Sequence, residues 1–233
     1  MEEIELAISG CFLSVSDDDL LITSNRPLSS LSTAIYGGGL RTIRYALNHR
    51  LTHYYPSEKD FPGGSVSAYL EECARRLTAD PEESAVLLTA ATVSLYSHKI
   101  IQSGPVTVEI VTTGGVEKTA CRASSPALYR EEEGRFMPLG TINMMVLLKG
   151  RLPDGIMARA FITLTEGKTA ALQDLGIADV NNGLPATGTG TDGITFITDP
   201  KGPLFTDAGP FSELGAALAK AAYESVTECL VKY

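Results

Sequence analysis

Thr187-Gly188-Thr189-Gly190-Thr191-Asp192-Gly193-Ile194-Thr195-Phe196-Ile197 joins a loop of glycines and hydroxyls directly to an apolar, strand-like run. Glycine lets a backbone fold tightly and approach a ligand closely. The threonines and the aspartate supply donors, acceptors and a candidate base. A hydrophobic core has no use for such a loop, so the stretch reads as polar chemistry delivered at the mouth of a buried strand. Working outward, the pattern recurs. Gly140-Thr141-Ile142-Asn143 precedes Met144-Met145-Val146-Leu147-Leu148, and Thr163-Leu164-Thr165-Glu166-Gly167-Lys168 precedes Thr169-Ala170-Ala171-Leu172. Strands entered through such loops and followed by helices gather polar groups at the ends of a sheet, where ligands sit.

The rest of the chain supplies the elements around these loops. Short apolar runs at Ile4–Ile8, Cys11–Val15 and Leu20–Thr23 read as strands, with Asp17-Asp18-Asp19 as a turn. Ile43, Leu47 and Leu51 recur at helical spacing, which predicts a helix over Arg41–Leu51. Tyr54–Gly64 is a Pro/Gly loop rich in aromatics, and Ser65 opens a helix with Glu71-Glu72 and Arg75-Arg76 on its outer face. Glu82–Ile101 is so continuously apolar that strand and helix both fit. Val106–Thr112 alternates as a strand does, and Thr119–Ser124 is placed to pair with it across Gly114-Gly115. Leu128–Met137 is a charged loop. A strand (Ile142–Leu148), a helix (Asp154–Leu175), a strand (Gly193–Thr198) and an amphipathic helix (Phe211–Val231) complete the chain. No composition break marks a linker. The expectation is one α+β domain over residues 1–233, with a mixed or antiparallel sheet or sheets packed against several helices.

Composition narrows the function classes. The 233 residues suit a single large domain with a full core. Nineteen Lys+Arg against 28 Asp+Glu give a net charge of −9, without any basic run, which argues against a phosphate-tracking nucleic-acid surface. Cys11, Cys73, Cys121 and Cys229 never form a Cys-x-x-Cys pair, so a reduced, cytoplasmic setting is expected. No apolar run approaches the roughly 18 residues of a membrane helix. His49, His53 and His98 lack metal-ligand spacing, so no metal site is expected. Neither a phosphate-binding glycine loop nor the Gly-x-Ser-x-Gly elbow of a serine hydrolase is present.

Taken in order, Gly37-Gly38-Gly39, Gly140-Thr141-Ile142-Asn143, Thr165-Glu166-Gly167-Lys168-Thr169 with Ala171-Leu172, and Ala186 to Asp192 make the chain similar to the adenosylcobinamide amidohydrolase family of corrinoid-salvage enzymes. The resemblance runs from about Ser30 to the C-terminal helix. Glu166-Gly167-Lys168 stands where Glu-Ala-Lys is expected; both charges are kept, and a glycine within a helix costs about 1 kcal/mol relative to alanine. The resemblance implies hydrolysis of the aminopropanol amide of adenosylcobinamide to adenosylcobyric acid and 1-amino-2-propanol. It implies no cofactor besides the cobalt-containing corrinoid substrate, no nucleic-acid or membrane partner, and leaves homo-oligomerisation open.

Amide hydrolysis calls for an activated water or hydroxyl, an oxyanion stabiliser and a proton for the leaving amine. The expected catalytic set is Asp192 or Glu166 as base, Lys168 as charge partner, and Asn143 with backbone N–H groups of the Gly188–Thr191 loop as oxyanion donors. Apolar neighbours such as Ile162, Leu164, Ala170 and Leu172 suggest partial burial of both Glu166 and Lys168. Expected substrate contacts are Gly38, Gly39, Thr141, Thr187, Gly188, Thr189, Gly190 and Thr191, in a pocket widened by Tyr54, Tyr55 and Phe61. Each candidate has a structural alternative: Asp192 as a turn residue bonding its own backbone, Glu166 and Lys168 as a helix-face ion pair, Asn143 as a cap. A threonine hydroxyl is a nucleophile only if a base reaches it. A non-catalytic corrinoid- or small-molecule-binding protein, and a self-processing threonine amidohydrolase, are the rival readings.

Overall fold

The structure is a computed structural model that describes residues 3–127 and 140–232. The charged loop expected over Leu128–Met137 lies outside the described residues. Among the described residues the chain forms eleven strands and three α-helices. The strands are β1 (Glu3–Glu5), β2 (Cys11–Val15), β3 (Asp19–Ser32), β4 (Gly39–Arg50), β5 (Ser84–Thr89), β6 (Ser97–Ser103), β7 (Val106–Gly114), β8 (Ala120–Cys121), β9 (Ile142–Leu148), β10 (Gly188–Thr189) and β11 (Gly193–Thr198). The helices are α1 (Val66–Arg76), α2 (Asp154–Asp174) and α3 (Glu213–Val231). This is the expected single α+β domain.

Nine strands form one mixed sheet that runs β1-β2-β3-β11-β9-β7-β6, with β4 added on β3 and β5 on β4. β9–β11 and β4–β5 are parallel; the other pairs are antiparallel. A register shift in the β3–β4 ladder between Thr23 and Leu28 breaks the long β3 into two halves. The first half pairs with β2 and the second with β11, so the sheet curls and packs its two halves face to face. The inner layer holds Leu13, Leu20, Ile43, Leu87, Val111, Met145 and Leu147. Outside one half, α1 buries Val66, Leu70 and Cys73 against Leu47 and Val86. Outside the other, α2 and α3 cover Ile110, Met144, Val146 and Phe196.

Two assignments are corrected. Arg41–Leu51 is strand β4, not a helix. Ala46, Leu47, Asn48 and His49 are all buried because α1 covers one face and the opposing half-sheet the other. A strand covered on both faces loses its alternation, and spacing by four then mimics a helix. Likewise Thr119–Ser124 does not return along β7. Gly115 N–H instead donates to the Thr141 carbonyl, a turn follows at Val116–Ala120, and β8 pairs with β10 in a separate two-stranded ribbon. The ambiguous Glu82–Ile101 resolves into β5 and the start of β6. Among the described residues no helix is long and apolar enough to cross a membrane.

Candidate active site

β9 and β11 lie parallel with Asn143 opposite Gly193, so the two glycine–threonine loops that lead into them arrive side by side. The ribbon β8–β10 closes over this end, with Gly188 opposite Cys121. Asp192, the last residue before β11, therefore meets groups from three directions. Its Oδ1 accepts from the Ile142 N–H at 3.0 Å and from Thr189 Oγ1 at 2.6 Å. Its Oδ2 accepts from the Thr189 N–H at 3.1 Å and from Lys168 Nζ on α2. Four donors occupy the four acceptor positions of one carboxylate.

Helix phase explains why Lys168 reaches Asp192 and Glu166 does not. Residues three and four apart share a helix face, whereas neighbours two apart point away from each other. Lys168 shares the face of Leu164, Ala171 and Leu172 and its side chain is 8% exposed; Glu166 is on the solvent side. The expectation that both are partly buried is thus corrected: one is, the other is not. A buried ammonium is tolerable only with a close anionic partner, and Asp192 is that partner. Gly188 makes room for the pair, since a Cβ there would lie 2.3 Å from Asp192 Oδ2 and 2.6 Å from Lys168 Nζ.

The threonines divide into distinct roles. Thr189 presents its hydroxyl to a carboxylate. Thr141 Oγ1 donates to the Thr191 carbonyl at 2.6 Å, and Thr191 Oγ1 to the Gly140 carbonyl at 3.1 Å, stitching the two loops together. Thr187 Oγ1 accepts from the Ala123 N–H at 2.9 Å, while its carbonyl accepts from Thr169 Oγ1 at 3.1 Å. Gly140, at φ +142°, adopts a backbone conformation that side chains rarely take, and a Cβ there would sit 2.1 Å from Thr119 Oγ1.

Asn143 points inward between the half-sheets. Its Nδ2 donates to Asn48 Oδ1 at 2.8 Å and to the Leu88 carbonyl at 2.9 Å. Both amide hydrogens are used, so an oxyanion finds no donor in this side chain. Gly38 ends the connection between β3 and β4 and Gly39 opens β4, and a Cβ on Gly38 would lie 2.2 Å from the Ala34 carbonyl. Tyr55 and Phe61 pack at a tilt with ring centroids 4.4 Å apart in the core beneath α1, rather than widening a pocket at Asp192.

A pocket of about 600 Å³ opens beside the cluster, lined by Gly140, Gly190, Thr191 and Cys121, with Arg122, Ser125 and Asp179 further along. Sequence reasoning missed Asp179. Its carboxylate accepts from the Arg122 N–H at 2.9 Å, the Asn181 N–H at 2.8 Å and Ser125 Oγ at 2.8 Å, and these bonds hold its acid form far below the usual carboxylate range. It fixes the pocket wall as a ready-made turn. The run Asp179-Val180-Asn181-Asn182-Gly183 signals a turn, but not that it reaches across to Arg122. Burial, followed by the charges of Asp192 and Asp179, pushes the Cys121 thiol up, so this pocket-lining group stays protonated. Among the described residues no cluster of three His, Cys, Asp or Glu side chains is arranged to hold a metal ion.

The sequence model of one family, described as adenosylcobinamide amidohydrolase, matches residues 10–233. The chain belongs to the adenosylcobinamide amidohydrolase family. Membership makes it a hydrolase of amide bonds in the cobinamide pathway. An uncharacterised protein of Methanocaldococcus jannaschii is 29% identical to this family member over 208 residues, covering 83% of this chain and 79% of the relative. Among solved structures, a protein of Pyrococcus horikoshii OT3 superposes with a TM-score of 0.49 at 13% identity, over 94% of this chain and 78% of that one. A beta-aminopeptidase of a Burkholderia species gives 0.45 at 14% identity, over 94% and 80% of the two chains. The L-aminopeptidase D-Ala-esterase/amidase of Ochrobactrum anthropi, a variant of the Ntn hydrolase fold, gives 0.42 at 11%, over 95% and 83%. The Lys168–Asp192–Thr189 line sets a hydroxyl in hydrogen-bond reach of a carboxylate that a cation orients.

Proposed function

We propose that this family member hydrolyses the aminopropanol amide of adenosylcobinamide, releasing 1-amino-2-propanol and adenosylcobyric acid, at the Lys168–Asp192–Thr189 cluster. The observation that carries the reading is the 2.6 Å hydrogen bond from Thr189 Oγ1 to a carboxylate whose other oxygen holds a buried ammonium, beside an open pocket.

In this reading Thr189 Oγ1 attacks the amide carbonyl as its proton passes to Asp192 Oδ1. The Gly190 N–H, on the pocket wall, faces the oxyanion. Lys168 Nζ gives a proton to the leaving nitrogen and recovers it from Asp192, so the amine departs and an ester on Thr189 remains. Water then adds to the ester, using the same carboxylate as base, and frees the corrinoid acid and the threonine hydroxyl. Hydroxyl attack is preferred over direct attack by water because Thr189 already occupies the position at Asp192 Oδ1 that a water would need. No metal or organic cofactor enters these steps.

The test is incubation of purified protein with adenosylcobinamide, with and without chelator and without nucleotide, followed by chromatography with mass detection. The expected result is adenosylcobyric acid plus 1-amino-2-propanol in both conditions. Binding without turnover would overturn the proposal in favour of a corrinoid-binding role, and a chelator-dependent loss would overturn the metal-free steps.

A further inference from the structure

Asn48, on β4, stands 1% exposed between the half-sheets, in a layer otherwise filled by Ala46, Leu87, Met145 and Leu147. A buried amide there is costly unless its hydrogen bonds are made. Asn48 makes two with residues of the opposing half-sheet: its Nδ2 donates to Thr113 Oγ1 at 2.8 Å, and its Oδ1 accepts from Asn143 Nδ2 at 2.8 Å. The second hydrogen of Asn143 goes to the Leu88 carbonyl on β5. Both donors of Asn143 are thereby anchored to the β4–β5 half of the fold, and its rotamer is fixed.

What the fixed Asn143 does next concerns the active site. Its neighbours in sequence, Thr141 and Ile142, bond to the Thr191 carbonyl and to Asp192 Oδ1. Its Oδ1 packs against Gly193, the residue after Asp192 and its register partner; a Cβ on Gly193 would lie 2.7 Å from that oxygen. Asn143 is thus wedged beneath the two loops whose relative position sets the Thr189–Asp192–Lys168 geometry. A shift on the order of 1 Å in such a site is enough to cost about a hundredfold in rate.

We propose that Asn48 is a positioning residue for the amide hydrolysis: through Asn143 it locks the Gly140–Asn143 loop against the Thr189–Gly193 loop and so aligns Asp192. The proposal rests on the reading of the Asp192 cluster given above. It assigns to Asn48 its acceptor oxygen, not its bulk, as the working atom.

The experiment compares Asn48→Leu, Asn48→Asp and Thr113→Val in the full chain. Asn48→Leu keeps the volume but leaves one of the two Asn143 Nδ2 hydrogens without its acceptor, and kcat is expected to fall 10- to 100-fold with KM within about twofold. Asn48→Asp keeps an oxygen for Asn143 while burying a charge, so it is expected to melt lower yet retain kcat within about threefold. A structural role predicts the opposite ranking, with the lower-melting variant the less active. In an Asn143→Ala background, Asn48→Leu is expected to add nothing to the loss of kcat; an undiminished further fall would show that Asn48 acts by another route and overturn the proposal. Thr113→Val, which disturbs Asn48 least, covers the case in which Asn48→Leu does not fold, and is expected to lose kcat by a few-fold. Hydrogen exchange at residues 140–148 and 187–193 gives a readout without catalysis. Faster exchange of the Ile142 amide in Asn48→Leu supports the lock even if wild type leaves adenosylcobinamide intact, whereas unchanged protection sinks it.

Discussion

Lys168 on α2 and Asp192 before β11 form a buried ion pair across 24 residues of sequence, and the backbone N–H groups of Ile142 and Thr189 close around the same carboxylate. The carboxylate is therefore the knot that ties helix, loop and strand together, and in the proposed mechanism it is also the base for Thr189. Asp192→Asn keeps the shape but turns an amide NH₂ toward groups that are themselves donors. Turnover of adenosylcobinamide is expected to fall roughly 10²–10⁴-fold, with a lower melting temperature. Glu166→Gln, on the exposed face, is expected to stay within about twofold of wild type. Steady-state kinetics on the two variants check both statements, and equal losses would remove the assignment.

The proposed nucleophile predicts a second ordering. Thr189→Ser retains a hydroxyl at Asp192 Oδ1 and is expected to keep turnover within about tenfold. Thr189→Ala is expected to lose roughly 10²–10⁴-fold. Because the proposed nucleophile Thr189 lies inside the chain, in the short strand β10, and needs no free N-terminus, intact-mass measurement should show one uncleaved chain in the active preparation. Cleavage between Gly140 and Thr141, with Thr189→Ala still active, would transfer the role to Thr141.

The C-terminal half was the legible half. Strand and helix bounds there follow from clean apolar runs flanked by glycine or proline, and both Lys168 and Asp192 stand out as polar residues in the wrong surroundings for a core. Their mutual contact is another matter, because it depends on helix phase: Glu166 carries the same chemical promise two positions earlier and faces solvent. In the N-terminal half, Asn48 was hidden inside a stretch that reads as a helix, since burial of β4 on both faces erased the alternation that marks a strand. Asp179, in the loop between α2 and β10, drew no reading of its own. Its bonds to Arg122 and Ser125 span 57 and 54 residues, and nothing local announces them.

Gly167 gives a stability test of the helix packing that carries Lys168. Within a helix, Gly→Ala ordinarily gains about 1 kcal/mol. Here a Cβ would stand 2.5 Å from the Ala219 carbonyl oxygen on α3, a backbone atom that cannot swing aside. Overpacking of this kind costs about 1–3 kcal/mol, so Gly167→Ala is expected to lower the melting temperature. It is also expected to lower kcat, because separating α2 from α3 displaces Lys168. A higher melting temperature would show that the helices part freely and that the glycine is not required for their contact.

The His49 pair predicts how stability depends on pH. Burial pulls the His49 imidazole down, but the neighbouring Asp19 and Cys73 outweigh that, raising it to about 9. The ring nitrogens lie 2.6 Å from Asp19 Oδ1 and 2.7 Å from Tyr69 Oη, so the folded protein holds a charged histidine clamped between β3 and α1. A group whose pKa is higher folded than unfolded contributes its full stabilisation below the unfolded value, about 6.5 for histidine. That contribution is lost as pH rises toward 9. Melting temperature is therefore expected to fall between pH 6.5 and 9 from this group. Asp19→Asn removes the anionic partner, and should lower the melting temperature at pH 6.5 while flattening the decline above it. Thermal unfolding of both proteins across this range is the measurement. A wild-type decline that persists unchanged in Asp19→Asn would assign it to another group and show that His49 is neutral in the fold.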